Sequence, residues 1–185
     1  MIRRPPRSTQ GVSSAASDVY KRQIDSLPPG RKPIKTIHRF DNKRLSVFAF
    51  LKEQIKKGRQ VYIVYPLIKE SEKLDYKDLM DGYESISRSF PLPDYQISIV
   101  HGKMKSEDKS YEMERFKKGI TQIMVATTVI EVGLNIPNAS VMIIESAERF
   151  GLSQLHQLRG RVGRGNEQSF CILMSSSKIS ISRSL

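Results

Sequence analysis

Six short apolar runs, at residues 34–40, 61–65, 97–100, 123–126, 141–144 and 170–173, recur along this sequence with charged segments between them. The runs are rich in Val and Ile and do not alternate with polar residues. A strand with one wet face alternates; a strand covered on both faces reads as a continuous apolar run. The intervening segments carry helix-end signals. Asp41 is placed to cap a helix with Leu45, Phe48, Leu51 and Ile55 on one face, closing at Lys56, Lys57 and Gly58. A second helix opens near Ser106 with Glu107 and Asp108 in its first turn and closes at Lys117, Lys118 and Gly119, charges that oppose the helix dipole. This β-α alternation predicts an α/β domain: a parallel sheet with helices on both faces and ligand sites at the carboxyl ends of the strands.

A chain of 185 residues is long enough to bury one core unaided. No run reaches the ~20 apolar residues of a membrane-spanning helix, so a soluble protein is expected. The single cysteine, Cys171, lies in the apolar run Phe170-Cys171-Ile172-Leu173 and reads as a small buried hydrophobe, which fits a reducing, cytoplasmic setting. The net charge of +12 favours polyanionic partners. Residues 1–23 supply +4 of it, through Arg3, Arg4, Arg7, Lys21 and Arg22 against Asp18 alone. That segment has neither helical nor strand periodicity and resembles translated adapter sequence joined to a gene fragment. It is excluded from the fold as a non-native or disordered tail, the domain being placed at 24–176. Leu27-Pro28-Pro29-Gly30 reads as a turn. The serine-rich residues 177–185 are expected to be a truncated or disordered end.

The richest chemistry lies in Gln154-Leu155-His156-Gln157-Leu158-Arg159-Gly160-Arg161-Val162-Gly163-Arg164-Gly165. If Ser153 opens a helix, Gln157, Arg161 and Arg164 fall four and three residues apart on about one face, while Gly160 and Gly163 remove side-chain bulk. Arginine's planar fork of donors suits phosphoryl oxygens better than lysine's point charge. A solvated basic helix end or an RGG-like RNA contact is the alternative. Thr127 and Thr128 follow the fourth apolar run, at the strand end where hydroxyls and free amides can meet a phosphate; they can equally cap the next helix. His101-Gly102 follows the third run in the same way, where a nucleic-acid backbone could pass, although histidine beside glycine also suits a plain turn. Tyr62, Tyr65 and Phe90 read as packing residues rather than base-stacking platforms.

The segments HGKMK from His101, ATTVIEVGLNIPNA from Ala126 and ERFGLSQLHQLRGRVGRG from Glu148, in that order, resemble the second RecA-like lobe of superfamily 2 helicases. The likeness is strongest to the RecG family of bacterial ATP-dependent DNA helicases, which remodel stalled forks and recombination junctions. LPPGRKPIKT resembles the stretch leading into that lobe, and VYIVYPLIKESE its fourth motif. The resemblance implies that Arg161 and Arg164 reach the ATP γ-phosphate across a lobe interface, with Gln157, Gly133 and Asn135 facing nucleotide. It further implies that Thr127, Thr128, His101 and Gly102 contact the DNA backbone. Asn135 departs from the aspartate common in the superfamily; its carbonyl still accepts a hydrogen bond but brings no charge.

The sequence contains no G-x-x-x-x-G-K-[ST] and no Asp-Glu pair to hold magnesium. ATP and Mg²⁺ are therefore expected to sit mainly on a first lobe, and this chain alone to be inactive. The resemblance implies that first lobe and a wedge domain as partners, with branched DNA bound largely without regard to sequence and no metal site here. A lobe of the transcription-repair coupling translocase, which shares QLHQLRGRVGR, and a non-catalytic nucleic-acid-binding module are the alternatives.

Overall fold

The computed structural model describes residues 32–67, 72–127, 136–163, 165 and 167–176. The tail, the Leu27–Gly30 turn, the serine-rich end, and Thr128, Gly133, Asn135 and Arg164 lie outside them.

In chain order the elements are β1 (Lys35–Phe40), α1 (Arg44–Lys56), β2 (Gln60–Tyr65), α2 (Glu72–Ser89), β3 (Ile97–Val100), α3 (Ser106–Lys117), β4 (Ile123–Thr127), β5 (Ala139–Ile144), α4 (Leu152–Arg159) and β6 (Phe170–Ser175). The strands form one sheet in the order β1-β6-β5-β2-β4-β3, and every neighbouring pair is parallel. All six runs are strands, but β1, at the edge of the sheet and carrying Lys35, Thr36, His38 and Arg39, is mostly exposed rather than buried. Because successive side chains of a strand point to opposite faces, each central strand contributes to two cores. Val61, Ile63 and Tyr65 of β2 pack with Val47, Phe48 and Leu51 of α1 and Leu79 and Ile86 of α2. Tyr62 and Val64 pack with Phe116 of α3 and with Leu155 and Leu158 of α4. The expected helices on both faces follow directly. Tyr62, Tyr65 and Phe90 are buried packing residues, and Cys171 is buried in the second core.

The polar residues that enter this core are tied down. Gln60 donates to the carbonyls of Phe116 (2.6 Å) and Thr121 (2.9 Å), fastening the start of β2 to the end of α3. Ser98 and Thr121 share a hydrogen bond of 2.9 Å beneath them. Helices α1 and α3 both stop at left-handed glycines, Gly58 (φ +78°) and Gly119 (φ +74°), a conformation that any Cβ would strain.

Two details of α1 differ from the sequence reading. Asp41 does not cap the helix; it begins a short 3-10 turn, Asp41–Lys43, and its carboxylate receives the Arg44 guanidinium at 3.0 Å. Leu45 is 82% exposed, because the buried stripe is Val47, Phe48, Leu51 and Gln54. At about 100° per residue, Leu45 lies roughly 120° around the helix from the middle of that stripe. Ile55 is only half-buried at its rim.

Candidate functional site

Strand register places four polar residues in one row across the carboxyl edge of the sheet. Tyr65 is paired with Thr127, Val64 with both Ala126 and Ile144, and Val100 with Ala126. Glu145, just past β5, Tyr65 of β2, Thr127 of β4 and His101, just past β3, are therefore level with one another. At about 4.8 Å between strands the row spans roughly 14 Å.

At one end, His101 starts a tight turn in which its carbonyl accepts the Met104 N–H at 3.2 Å. Gly102 is exposed with open space where a side chain would be, and its carbonyl accepts a hydrogen bond from Lys109 at 3.1 Å. The His101 ring meets Tyr76 of α2 edge-on at 5.1 Å, and the Lys103 ammonium sits 4.7 Å from the centre of the Tyr76 ring. Burial, then the charges of Lys109 and Lys103, push the His101 pKa below its ordinary value and favour the neutral imidazole. Its Nδ1 is buried without a hydrogen-bond partner among the described residues. Thr127, the next in the row, is 4% exposed, and its hydroxyl likewise has no partner among the described residues.

At the other end, Arg44 donates to both oxygens of the buried Glu145 carboxylate, at 2.6 and 2.8 Å. Hydrogen bonding to Glu145, outweighing the cost of burial, raises the Arg44 pKa further. Burial and the same carboxylate raise that of Tyr65. The Tyr65 hydroxyl reaches α2 at Gly82. Beyond Glu145, whose N–H is held by the Val64 carbonyl at 2.9 Å, Ser146 adopts a left-handed backbone (φ +48°). Such a conformation costs a non-glycine residue of order 1 kcal/mol or more and persists only where its surroundings dictate it. Arg149, in the turn that follows, pairs with Asp78 of α2 at 3.3 Å.

Helix α4 starts earlier than expected: Gly151, not Ser153, takes the N-cap, and the Gln154 side chain reaches back to accept the Gly151 N–H at 3.1 Å. The helix ends at Arg159, so Arg161 lies beyond it, in a turn closed by its N–H on the Leu158 carbonyl at 2.9 Å. Helical spacing from Gln157 therefore does not set where Arg161 lies. Gln157 is exposed on α4, Arg161 is half-buried, and Val162 anchors the turn in the core. Gly163 meets the fold itself: a Cβ there would lie 2.9 Å from Ile34, which immediately precedes β1. A Cβ at Gly165 would lie 2.9 Å from the carbonyl of Pro137, just ahead of β5. The turn that follows α4 thus packs toward the amino ends of these strands, at the opposite edge of the sheet from the row of Thr127 and His101. Gly160, at the helix end, has only its own turn's carbonyls nearby, at 3.5 Å. Helix α4 contains no carboxylate, so its exposed polar groups suit an anion; among the described residues no three His, Cys, Asp or Glu side chains converge as metal ligands.

Sequence reading missed Arg44, Glu145, Gly82 and Tyr76. An isolated glycine in a helical pattern was the available signal for Gly82. The other three became neighbours of the row only through strand order.

A six-stranded parallel sheet of this order, covered on both faces and carrying its polar row at the carboxyl edge, defines a RecA-like helicase lobe. The chain belongs to the helicase conserved C-terminal domain family, which matches residues 42–166. It is 48% identical over 161 residues to the ATP-dependent DNA helicase RecG of Synechocystis sp., covering 87% of this chain and 19% of that protein. RecG of Bacillus subtilis is 49% identical over 155 residues, 84% of this chain and 23% of its own length. The chain thus spans about a fifth of the curated relatives it matches. Among solved structures, RecG bound to a three-way DNA junction superposes with a TM-score of 0.67 at 41% identity, over 82% of this chain and 19% of that one. Domain 2 of the DEAD-box helicase Mss116p, bound to an RNA duplex, superposes at 0.58 over 78% of this chain and 55% of that one; at 18% identity it shares the fold alone.

Proposed function

We propose that this chain is the second motor lobe of a cytoplasmic, RecG-type ATP-dependent DNA helicase that acts on branched DNA, with 24–176 as its domain. The observation that carries the reading is the separation of two polar sites on one lobe, in a chain about half identical to RecG. The carboxylate-free helix α4 leads to Arg161 at one place, and the His101–Thr127 row lies at another. A motor needs both: one surface to sense nucleotide, another to hold the strand it moves.

In this reading Arg161 and Arg164 reach the ATP γ-phosphate across the cleft to the first lobe, with Gln157, Gly133 and Asn135 beside the nucleotide. The first lobe holds most of the ATP and the Mg²⁺, and a wedge domain of the same protein engages the junction. A fork of fixed N–H donors stabilises charge spreading over the transferred phosphoryl oxygens, an effect on the order of 10³ to 10⁵ in rate where a P-loop already holds nucleotide. Without that partner the lobe turns over no ATP. Thr127, Thr128, His101 and Gly102 contact DNA phosphates rather than base edges, so binding is sensitive to salt and indifferent to sequence. ATP binding draws the lobes together and hydrolysis releases them.

The test is DNA-stimulated ATP turnover by this lobe joined to a RecG first lobe, native against Arg161→Ala. Turnover should fall by about 10³ or more. Unchanged turnover would remove the arginine from the reaction and leave a nucleic-acid-binding module.

A further inference from the structure

The turn after β3 carries a lysine, Lys103, and α2 carries a ring against it, Tyr76, that the proposed function leaves unused. We infer that Lys103, steadied by the Tyr76 ring, forms with His101 a seat for one phosphodiester oxygen of a DNA strand lying along the carboxyl edge of the sheet. The inference rests on the reading that this edge contacts DNA, and adds to it a cation and a positioning residue, Tyr76.

Three observations support it. First, the Lys103 ammonium lies 4.7 Å from the centre of the Tyr76 ring, and it makes no ion pair among the described residues. At the far end of α3, by contrast, Lys117 and Lys118 both pair with Glu114. A lysine side chain loses substantial rotamer freedom when it grips a ligand; a ring that already restrains it lowers that cost. Secondly, the His101 Nδ1 is buried with no hydrogen-bond partner among the described residues. A buried N–H without an acceptor costs more than a bare lone pair, which assigns the proton to Nε2 and makes that nitrogen of the neutral ring the donor beside the lysine charge. Thirdly, Lys109 donates to the Gly102 carbonyl at 3.1 Å, which occupies that acceptor, and nothing lies within 4 Å of a Cβ built on Gly102, so the space between His101 and Lys103 is open. The carboxylates of Glu107 and Asp108 lie on the exposed first turn of α3 and pair with none of these cations. A cation and a neutral N–H donor at one end of a row that contains the unpartnered Thr127 hydroxyl suit the repeating anion of a nucleic-acid strand.

The experiment measures binding of fluorescein-labelled duplex DNA by the full-length protein carrying this lobe, across a range of KCl concentrations. Lys103→Ala should reduce the slope of log affinity against log salt by ~0.9, the loss of one phosphate contact. Tyr76→Ala should weaken binding roughly two- to fivefold, the worth of an exposed cation–π restraint, and Tyr76→Phe should restore it. Because the ring acts only through the lysine, the Tyr76→Ala, Lys103→Ala double variant should bind no more weakly than Lys103→Ala alone. An unchanged salt slope in Lys103→Ala, or fully additive losses in the double variant, would overturn the seat while leaving DNA binding by the edge intact. Native protein that does not bind DNA would overturn the seat and the proposed function together.

Discussion

The Tyr65 hydroxyl fills the space that a side chain at residue 82 would need: a Cβ built on Gly82 would lie 2.1 Å from it and 2.3 Å from the ring carbon that bears it. Elsewhere in a helix, glycine to alanine gains up to ~1 kcal/mol. Here the gain is opposed by overpacking against a buried, rigid ring, of the order of 1–3 kcal/mol. Gly82→Ala should therefore lower the urea midpoint of the chain, and in a Tyr65→Leu background it should raise it. A higher midpoint for Gly82→Ala alone would show that α2 does not pack on Tyr65 in this way.

The pair Arg44–Glu145 joins residues 101 apart in sequence, with the carboxylate 5% exposed and the guanidinium 30% exposed. Removing the arginine strands a buried charge, whereas neutralising the acid does not. Arg44→Met should cost about 2–3 kcal/mol, toward the lower end for a buried pair because Arg44 reaches solvent. Glu145→Gln should cost less, and Arg44→Met combined with Glu145→Leu should recover most of the loss. Equal costs for the two single variants in chemical denaturation would contradict this asymmetry.

His101 should titrate below the ordinary histidine range, because burial, Lys109 and Lys103 all disfavour its cation. Following its ring protons by NMR, Lys109→Ala and Lys103→Ala should each move the midpoint upward. A depressed folded-state pKa favours folding at pH above the unfolded value and loses that contribution as pH falls through the folded one. A midpoint insensitive to both lysines would detach them from the ring.

Burial pushes the Cys171 thiol up to about 11. Thiol alkylation in the native protein should thus be slow at pH 8 and accelerate only with unfolding. The sign for stability follows from the raised value: the neutral thiol is kept in the folded chain, so its contribution is complete below the unfolded pKa near 9 and is lost as pH rises through about 11. At 1.36 kcal/mol per unit the difference is roughly 2–3 kcal/mol. Cys171→Ala should flatten that part of the alkaline denaturation curve; an unaltered curve would assign the alkaline loss to other groups.

Much of the candidate site was legible as residue types and little of it as geometry. Thr127 and His101 could be placed at the sheet's edge because each directly follows an apolar run, and a polar residue at the end of a buried strand has few other places to go. Arg161 was singled out too, but its placement was not legible, since α4 ends at Arg159 and the glycines after it serve close packing on Ile34 and Pro137. Tyr76 and Glu145 carried no local signal that set them apart from an exposed helix residue and a strand-end acid.

The sequence by itself determined the number, kind and succession of the elements. Uninterrupted apolar runs demand strands covered on both faces, and paired lysines before glycine stop helices wherever they occur; both are consequences of neighbours along the chain. Tertiary structure alone decided the order β1-β6-β5-β2-β4-β3 and its register. These depend on which apolar faces cover one another, a long-range choice that local periodicity does not encode. That choice set Glu145, Tyr65, Thr127 and His101 in one row, turned Leu45 outward, and closed Tyr65 against a glycine in a helix that sequence propensity would have filled with a side chain.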